Sequence, residues 1–373
     1  MKEIYCLVHS TISIPDTIMR VVDTPAVQRL RHIKQLGAAS YVYPTATHSR
    51  FEHSLGVGHL GRRVMDHLQR NGVPVTNHQK DLIQLAGILH DVGHGPYSHL
   101  FEQVTPESHE DRSCAIIREL LHDTWSADDV QFVCDVVSGT GDGFLYEIIH
   151  NRRNGFDVDK WDYVVRDSTM VGFRVNVDFQ RFITNIRVLD NHIYFNQKCY
   201  DDIYEVYRMR CLLHRKVYNH HAVVGIERLL IDILRDIDAK ATDIDAVIHQ
   251  YPTHPLVQRL YRRDHYRVVA TNISDAPLLP HVIETPNYIL LPRAIGLSGS
   301  TVHPMSRIRL FSRTGCVVVK PGDHFVSEQT VQYWTRLLFK SSRQTSSPGV
   351  VEPRPPPRRL DHPAGPESET SSH

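Results

Sequence analysis

Residues 87–102 read GILHDVGHGPYSHLFE, which places His90, His94 and His99 beside Asp91 and Glu102 on a segment that also carries glycines and a proline. His90 and Asp91 are adjacent and His94 follows His90 by four, so on a helix the three project from nearby faces. Imidazole nitrogen with carboxylate oxygen suits a borderline or hard divalent ion such as iron, manganese, zinc or magnesium. Two ligands hold an ion weakly. The best further candidates are His53 in THSRFEHSLGVGH and Asp159 in NGFDVDKWDY, polar residues among apolar neighbours whose burial is costly without a partner. A quartet of His53, His90, Asp91 and Asp159 leaves positions open for water and substrate, as a hydrolytic metal requires. With 25 histidines in the chain, a single match means little. An isolated His-Asp pair is commonly a helix end with a solvated carboxylate, and the weight lies in the company these residues keep.

The elements that must position them read mostly as helices. DTPAVQRLRHIKQLG carries Val27, Leu30, Ile33 and Leu36 at helical period up to Gly37, and FEHSLGVGHLGRRVMDHLQRNG continues with Leu55, Leu60, Val64 and Leu68 until Asn71-Gly72. A helix from Gln79 to His94 is closed by Gly95-Pro96. Further helices are expected over 109–122, 127–138, 143–150 and 157–168, and a long one over 201–238. Short β-like stretches before residue 240 lie around 40–43 and 186–195. After Lys240, YRVVATNI, YILLPRAI, RIRLFSR and CVVVKPG read as strands, and QTVQYWTRLLFK as a helix. The fold class is mainly α: a helical body over 1–240, a smaller mixed α/β lobe over 241–340, and a Pro- and Ser-rich tail over 341–373 expected to be disordered.

The chain has 373 residues with 42 basic and 42 acidic side chains, so its overall charge predicts no grip on nucleic acid or membrane. No stretch is long and apolar enough to span a bilayer, and the N-terminus lacks a secretory pattern, so a soluble intracellular protein is expected, cytoplasmic or nuclear. Cys6, Cys114, Cys134, Cys199, Cys211 and Cys316 show no CxxC spacing and read as reduced packing residues.

Taken in order, HxRFEHSLGVG, GxxHDxGHGPxSHxF, His109-Glu110, RNGxDVDKWDYxxRD and LHRxxY resemble the HD-domain deoxynucleoside triphosphate triphosphohydrolases of the animal sterile-alpha-motif and HD-domain type. The resemblance is dense over 1–235 and thin over 255–340, and covers that family's HD core without its sterile-alpha-motif region. It implies an HD-domain helical core and metal-dependent hydrolysis of deoxynucleoside triphosphates to deoxynucleoside and inorganic triphosphate. The implied metal ligands are His53, His90, Asp91 and Asp159, and the catalytic histidines His94, His99 and His109, with Glu102 and Glu110 as carboxylate supports. Cleavage at the α-phosphorus needs an acid for the departing 5′ oxygen, a role histidine fills near neutral pH. His99 with Glu102 is the expected acid, with His94, supported by Glu110, positioning water and phosphate. Glu102 stands where the family has Asp, an arm longer by one methylene.

The same resemblance places phosphate donors at Arg50, Lys160 and Arg210. It sets Gln35, Leu36 and Asp167 near the 3′-hydroxyl, and Tyr163 and Tyr218 against the ribose, where a ring pressed on C2′ excludes a hydroxyl. His214 belongs to the LHR motif, and Asn219 replaces the family's Gln near the base. Family members form oligomers, dimers or tetramers, on binding GTP and deoxynucleotide activators. Lys2, Asp23, Gln28 and Arg31 match the guanine-reading positions. Glu3, Tyr5, Asn196 and Asp202 depart from the activator pattern, and gained acids weaken polyphosphate binding. The competing functions are an HD phosphodiesterase or nuclease, disfavoured by the neutral charge and by HDVGHG where many such enzymes have HDxGK, and a catalytically weakened nucleotide-binding homologue.

Overall fold

The structure is a computed structural model describing residues 1–274, 277, 279, 281–297, 303–312, 315–317 and 331–340. Met1–Lys340 make one compact unit. Most of its helices precede residue 240 and most of its described strands follow it, and the tail expected to be disordered, 341–373, lies outside the described residues.

The chain opens with a hairpin, β1 (Lys2–Cys6) and β2 (Ser10–Ile14), that the sequence reading did not anticipate. The helix expected to run to Gly37 is instead α1 (Asp16–Val22), a single turn α2 (Pro25–Gln28) and a 3₁₀ turn at Arg29–His32. Arg29 explains the break, because its guanidinium turns inward to the carbonyls of Val92, His94, Ala241 and Asp243. The strand expected at 40–43 is a 3₁₀ helix, Gly37–Tyr41, closed by local bonds such as Ala39 N to Leu36 O.

At the centre of the fold, α3 (Arg50–Arg70) packs on α4 (Asn77–Leu89). A capping box starts α4: Thr76 Oγ1 accepts from Gln79 N, and Gln79 Oε1 accepts from Thr76 N. Glycines let the two helices meet backbone to backbone, since a Cβ on Gly87 would lie 2.7 Å from Gly58 Cα, and one on Gly58 2.8 Å from Gln84 O. The predicted helix to His94 stops at Leu89 because Asp91–Gly95 turn away, with Gly93 pressed on α5: a Cβ there would meet His109 O and Ser113 N at 2.4 Å. A 3₁₀ helix, Ser98–Gln103, follows.

Helices α5 (His109–Leu121), α6 (Ala127–Ser138) and α7 (Val158–Met170) lie where the periodicity places them. The helix expected at 143–150 is a run of turns beginning at Gly143 with φ of +101°. After α8 (Phe179–Thr184), the β-like stretch expected around 186–195 is a hairpin of β3 (Ile186–Leu189) and β4 (His192–Asn196). The single helix expected over 201–238 is divided into α9 (Tyr200–Leu213), a π turn at His214–Tyr218 and α10 (His221–Asp236). His220 leaves helical geometry and caps α10 by accepting from Ala222 N.

The remainder contains α11 (Pro255–Tyr261), β5 (Arg267–Ser274), β6 (Ile283–Glu284), β7 (Tyr288–Gly296), β8 (Leu310–Ser312), β9 (Gly315–Val317) and β10 (Val331–Phe339). One sheet is ordered β5-β10-β7-β6 and another β3-β4-β8-β9. Of the stretch read as a helix, QTVQYWTRLLFK, residues 331–339 are thus an inner strand, and its first two residues lie outside the described ones. Its alternation sends Arg336 and Leu338 inward and its partners are distant in sequence, so tertiary pairing overrides its helical look.

Because the α3 and α4 backbones touch at Gly87, a methyl group there must force them apart. Gly87→Ala should lower stability by about 2 kcal/mol in chemical denaturation and weaken divalent-metal binding in the same protein.

Candidate metal centre and substrate cavity

His53 lies in the first turns of α3, His90 at the end of α4 and Asp159 in the first turn of α7, and the contact of those helices brings them together. His53 Nε2 is 3.0 Å from Asp159 Oδ1, and His90 Nε2 is 3.5 Å from the same oxygen. Asp91 Oδ2 stands 3.4 Å from His90 Nε2 and 3.6 Å from His53 Nε2. Ligand atoms held about 2.1 Å from one ion lie roughly 3.0–3.5 Å apart, so these separations fit a shared cation.

The tautomers fit as well. His90 Nδ1 bonds Gly87 O at 2.8 Å, and a carbonyl only accepts, so this nitrogen carries the proton; Nε2 is buried without a hydrogen-bond partner. His53 Nδ1 donates to Asp162 Oδ2 at 2.8 Å, turning Nε2 towards Asp159. Burial alone would depress the His53 pKa, but hydrogen bonds and charge from Asp159 and Asp162 outweigh it and push it up to about 10. Burial likewise opposes charge on Asp159, yet His53 and His90 hold it well below the usual carboxylate range. The cluster favours positive charge at this point, and a metal competes there with protons.

Asp162 is the functional residue the sequence reading missed. Besides His53 it binds His9 Nε2 at 2.5 Å and accepts two bonds from Arg166, at 2.8 and 2.9 Å. Its spacing was a readable signal, three residues after Asp159 and four before Arg166 on one helix. Gly56 makes room for it: a Cβ there would fall 2.0 Å from Asp162 Oδ1.

Three further histidines stand beside the metal cluster. The His94 and His109 rings stack with centroids 4.0 Å apart, and the His99 ring meets them edge-on at 4.8 and 5.1 Å. Glu102 joins two of them, hydrogen-bonding His109 Nδ1 and lying 3.3 Å from His99 Nδ1. Glu110 does not support His94 as expected. Its Oε2 is 3.3 Å from His109 Nδ1, while His94 is fully buried with Nε2 3.2 Å from Asp91 Oδ1. Burial, followed by the charges of Arg50 and His109, holds His94 well below the usual histidine range. Glu102 is held low in spite of its burial by its bonds to His109 and His99.

Apart from the buried His94 and Asp162, the histidines and carboxylates of the two clusters line a cavity of about 960 Å³, together with Gln35, Leu36, Tyr163, Asp167, Tyr218 and Asn219. Asp167 accepts from Tyr218 OH and bonds His48 Nε2 at 2.7 Å. Gln35 Oε1 is buried without a partner. Arg210 also lines the cavity, its Nε donating to Tyr163 OH at 3.1 Å and Nη1 to Gly296 O at 3.2 Å. Arg50 reaches the cavity but its guanidinium is engaged with Asp91 and Ser98 Oγ. Lys160 stands outside the wall, 3.5 Å from where a Cβ on Gly155 would sit, although its charge reaches His214, which is in the wall. Asn219 donates to His214 O at 3.0 Å.

Lys2, Asp23 and Arg31 are exposed and do not line the cavity. Gln28 donates to Val22 O and accepts from Arg31 Nε, and the Arg31 guanidinium lies 3.6 Å over the Phe51 ring.

Residues 50–148 match the HD domain family. A putative HD domain-containing protein of Acanthamoeba polyphaga mimivirus is 31% identical over 320 residues, covering 78% of this chain and 68% of that protein. The chain belongs to the HD-domain family. It is also 36% identical over 254 residues to a Dictyostelium discoideum protein named deoxynucleoside triphosphate triphosphohydrolase SAMHD1 homolog, covering 64% of this chain and 49% of that protein. The Homo sapiens deoxynucleoside triphosphate triphosphohydrolase SAMHD1 is 34% identical over 274 residues, covering 62% and 44%. This HD-domain chain therefore spans about half the length of the triphosphohydrolases it matches.

If Asp162 orients and charges His53, Asp162→Asn should lower divalent-metal affinity by about 10–100-fold, measured by competition with a chelating indicator.

Proposed function

We propose that this HD-domain protein hydrolyses deoxynucleoside triphosphates at the α-phosphorus, releasing deoxynucleoside and inorganic triphosphate. The observation that carries the reading is the position of His99, His109 and Glu102 beside His53, His90, Asp91 and Asp159 in one cavity, with the buried His94 ring stacked on His109. The names of the relatives support the substrate class. Held by His53, His90, Asp91 and Asp159, a divalent ion such as iron, manganese, zinc or magnesium supplies Lewis-acid chemistry at a phosphoryl oxygen and a more acidic water.

The chain's own residues do the rest. His99 is largely exposed and lines the cavity, with Nδ1 3.3 Å from Glu102 Oε1, so its other ring nitrogen is left to face the departing 5′ oxygen as the proton donor. His94, kept neutral by burial and flanking positive charge, stacks on His109 and holds that cavity-lining ring in place. Asp167 and Gln35 face the sugar. Tyr218, fixed by its bond to Asp167, closes the space that a ribose 2′-hydroxyl would need, which selects deoxyribose. Arg210 lines the cavity without a carboxylate partner among the described residues, and it faces the polyphosphate.

Regulation belongs to the same proposal: a guanine nucleotide at Lys2, Asp23, Gln28 and Arg31, coupled to assembly of a homo-oligomer, adjusts the rate. Among the described residues no helix is long and apolar enough to cross a membrane.

Metal-loaded protein should convert deoxynucleoside triphosphates to deoxynucleoside and triphosphate, resolved by ion-exchange chromatography with and without GTP. Absence of both products under both conditions rejects the reading. His99→Ala should reduce turnover by roughly 10²–10⁴-fold with metal content unchanged, whereas the double variant His90→Ala, Asp91→Ala should lose metal and turnover together.

A further inference from the structure

The cavity wall also contains Glu227 of α10 and Arg293 of β7, which the reaction does not use. Both sit in an otherwise apolar layer. Along β7 the alternation places Ile289, Leu291, Arg293 and Ile295 on one face, and the three hydrophobic members are buried. The register pairs Trp334 with Arg293 and Arg336 with Leu291, so Arg336 is the diagonal neighbour of Arg293 on that face. The same apolar cluster contains Val223, Val224 and Leu230 of α10, the helix that presents Glu227.

Charges in such a layer are costly unless they are paired. Among the described residues no hydrogen bond or ion pair closes off Glu227, and Arg293 makes only a long bond to Pro292 O at 3.5 Å. Arg336 is 3% exposed, with Nε and Nη1 unpartnered and its guanidinium 4.9 Å over the Trp334 ring. Burial pushes Glu227 up to about 7 even though Arg293 and Arg336 oppose it, and no group of the metal cluster contributes. The geometry is that of polar groups presented to a ligand in the cavity wall, on elements other than those that carry His53, His90 and Asp159.

The inference rests on the nucleotide reading above and on the shared lining of one cavity by Asn219, Glu227 and Arg293. With the α-phosphorus at the metal cluster and the sugar at Asp167, Tyr163 and Tyr218, the base extends past Asn219 to this wall. We propose that Glu227 and Arg293 read the base and make guanine the preferred one. Passing around its edge, guanine presents N7 and O6 as neighbouring acceptors, then N1–H and N2–H₂ as neighbouring donors. A guanidinium matches the first pair and an adjacent carboxylate the second. Adenine and cytosine each offer a single exocyclic donor next to a ring acceptor, and thymine one N–H between two carbonyls. Each of these leaves one charged group facing the wrong partner.

The test is kcat/KM for each of the four deoxynucleoside triphosphates with metal-loaded enzyme, followed by Glu227→Gln and Arg293→Gln. The wild type should favour dGTP over dATP by about tenfold or more, and each variant should cut that ratio by about tenfold. A purely structural role would lower both substrates together and leave the ratio unchanged. Ratios within twofold among the four substrates, preference for another base, or an unchanged ratio in both variants overturns the proposal. If no triphosphate is hydrolysed, the functional reading fails instead. Calorimetric binding of dGMP against dAMP then still decides the base preference: tighter dGMP binding that Glu227→Gln abolishes supports it, and equal binding overturns it.

Discussion

Three carboxylates converge on one buried ring. Asp159, Asp162 and Asp91 come within 3.0, 2.8 and 3.6 Å of the nitrogens of His53, which is 1% exposed. That much negative charge in a protein interior is unstable unless positive charge accompanies it. Arg166 and His9 answer Asp162, Arg50 answers Asp91, and the His53 and His90 nitrogens around Asp159 invite a cation. The fold's tight places serve this cluster: Gly56 admits the Asp162–Arg166 pair, and Gly58 with Gly87 brings the helix that carries His53 against the helix that ends in His90.

This charge balance also explains why the phosphate donors expected from the resemblance do not all point at the cavity. Arg50 is the counterion of a buried Asp91, and removing either partner would strand a charge in the interior. A residue so placed contributes positive potential to the cavity wall while holding a metal ligand in position. Arg210 has the opposite character: it is tied only to a tyrosine hydroxyl and to backbone carbonyls, bonds that leave its charge uncompensated by a neighbouring acid.

The parts of the site legible in the sequence were those carried by short segments of regular structure. His53, His90, Asp91 and Asp159 announced themselves because each lies at a helix end or first turn within an unusual local motif, and the helical period around them was strong. Asp162 was visible at the same spacing but its role depends on His9, 153 residues away, and on the absence of a side chain at Gly56. What failed was decided by distant partners. Residues 331–339 of QTVQYWTRLLFK became a strand because β5 and β7 flank them, and the break between α9 and α10 comes from a π turn that no residue type signals. The presence of Glu227 and Arg293 in one cavity wall was equally invisible, since they lie on elements far apart in the chain.

The mixed region after residue 240 is more than an appendage, and the catalytic turn shows why. Tyr97 and Ser98 adopt φ of +59° and +64° immediately before His99, left-handed conformations that cost on the order of 1–3 kcal/mol each for such residues. Asp245 holds the turn there: its carboxylate accepts from Tyr97 N at 2.6 Å and Lys34 N at 3.0 Å, and its carbonyl accepts from Tyr97 OH at 2.9 Å. Arg29 ties the carbonyl of His94 to those of Ala241 and Asp243 on the same segment. The bend that sends His94 inward beneath the metal cluster and His99 outward into the cavity is therefore braced from residues 241–245. His94 and His99 flank a turn braced from residues 241–245, whereas His53, His90 and Asp159 are carried by α3, α4 and α7, so a helical body ending at residue 240 would keep the second group without the brace that sets His99 beside it.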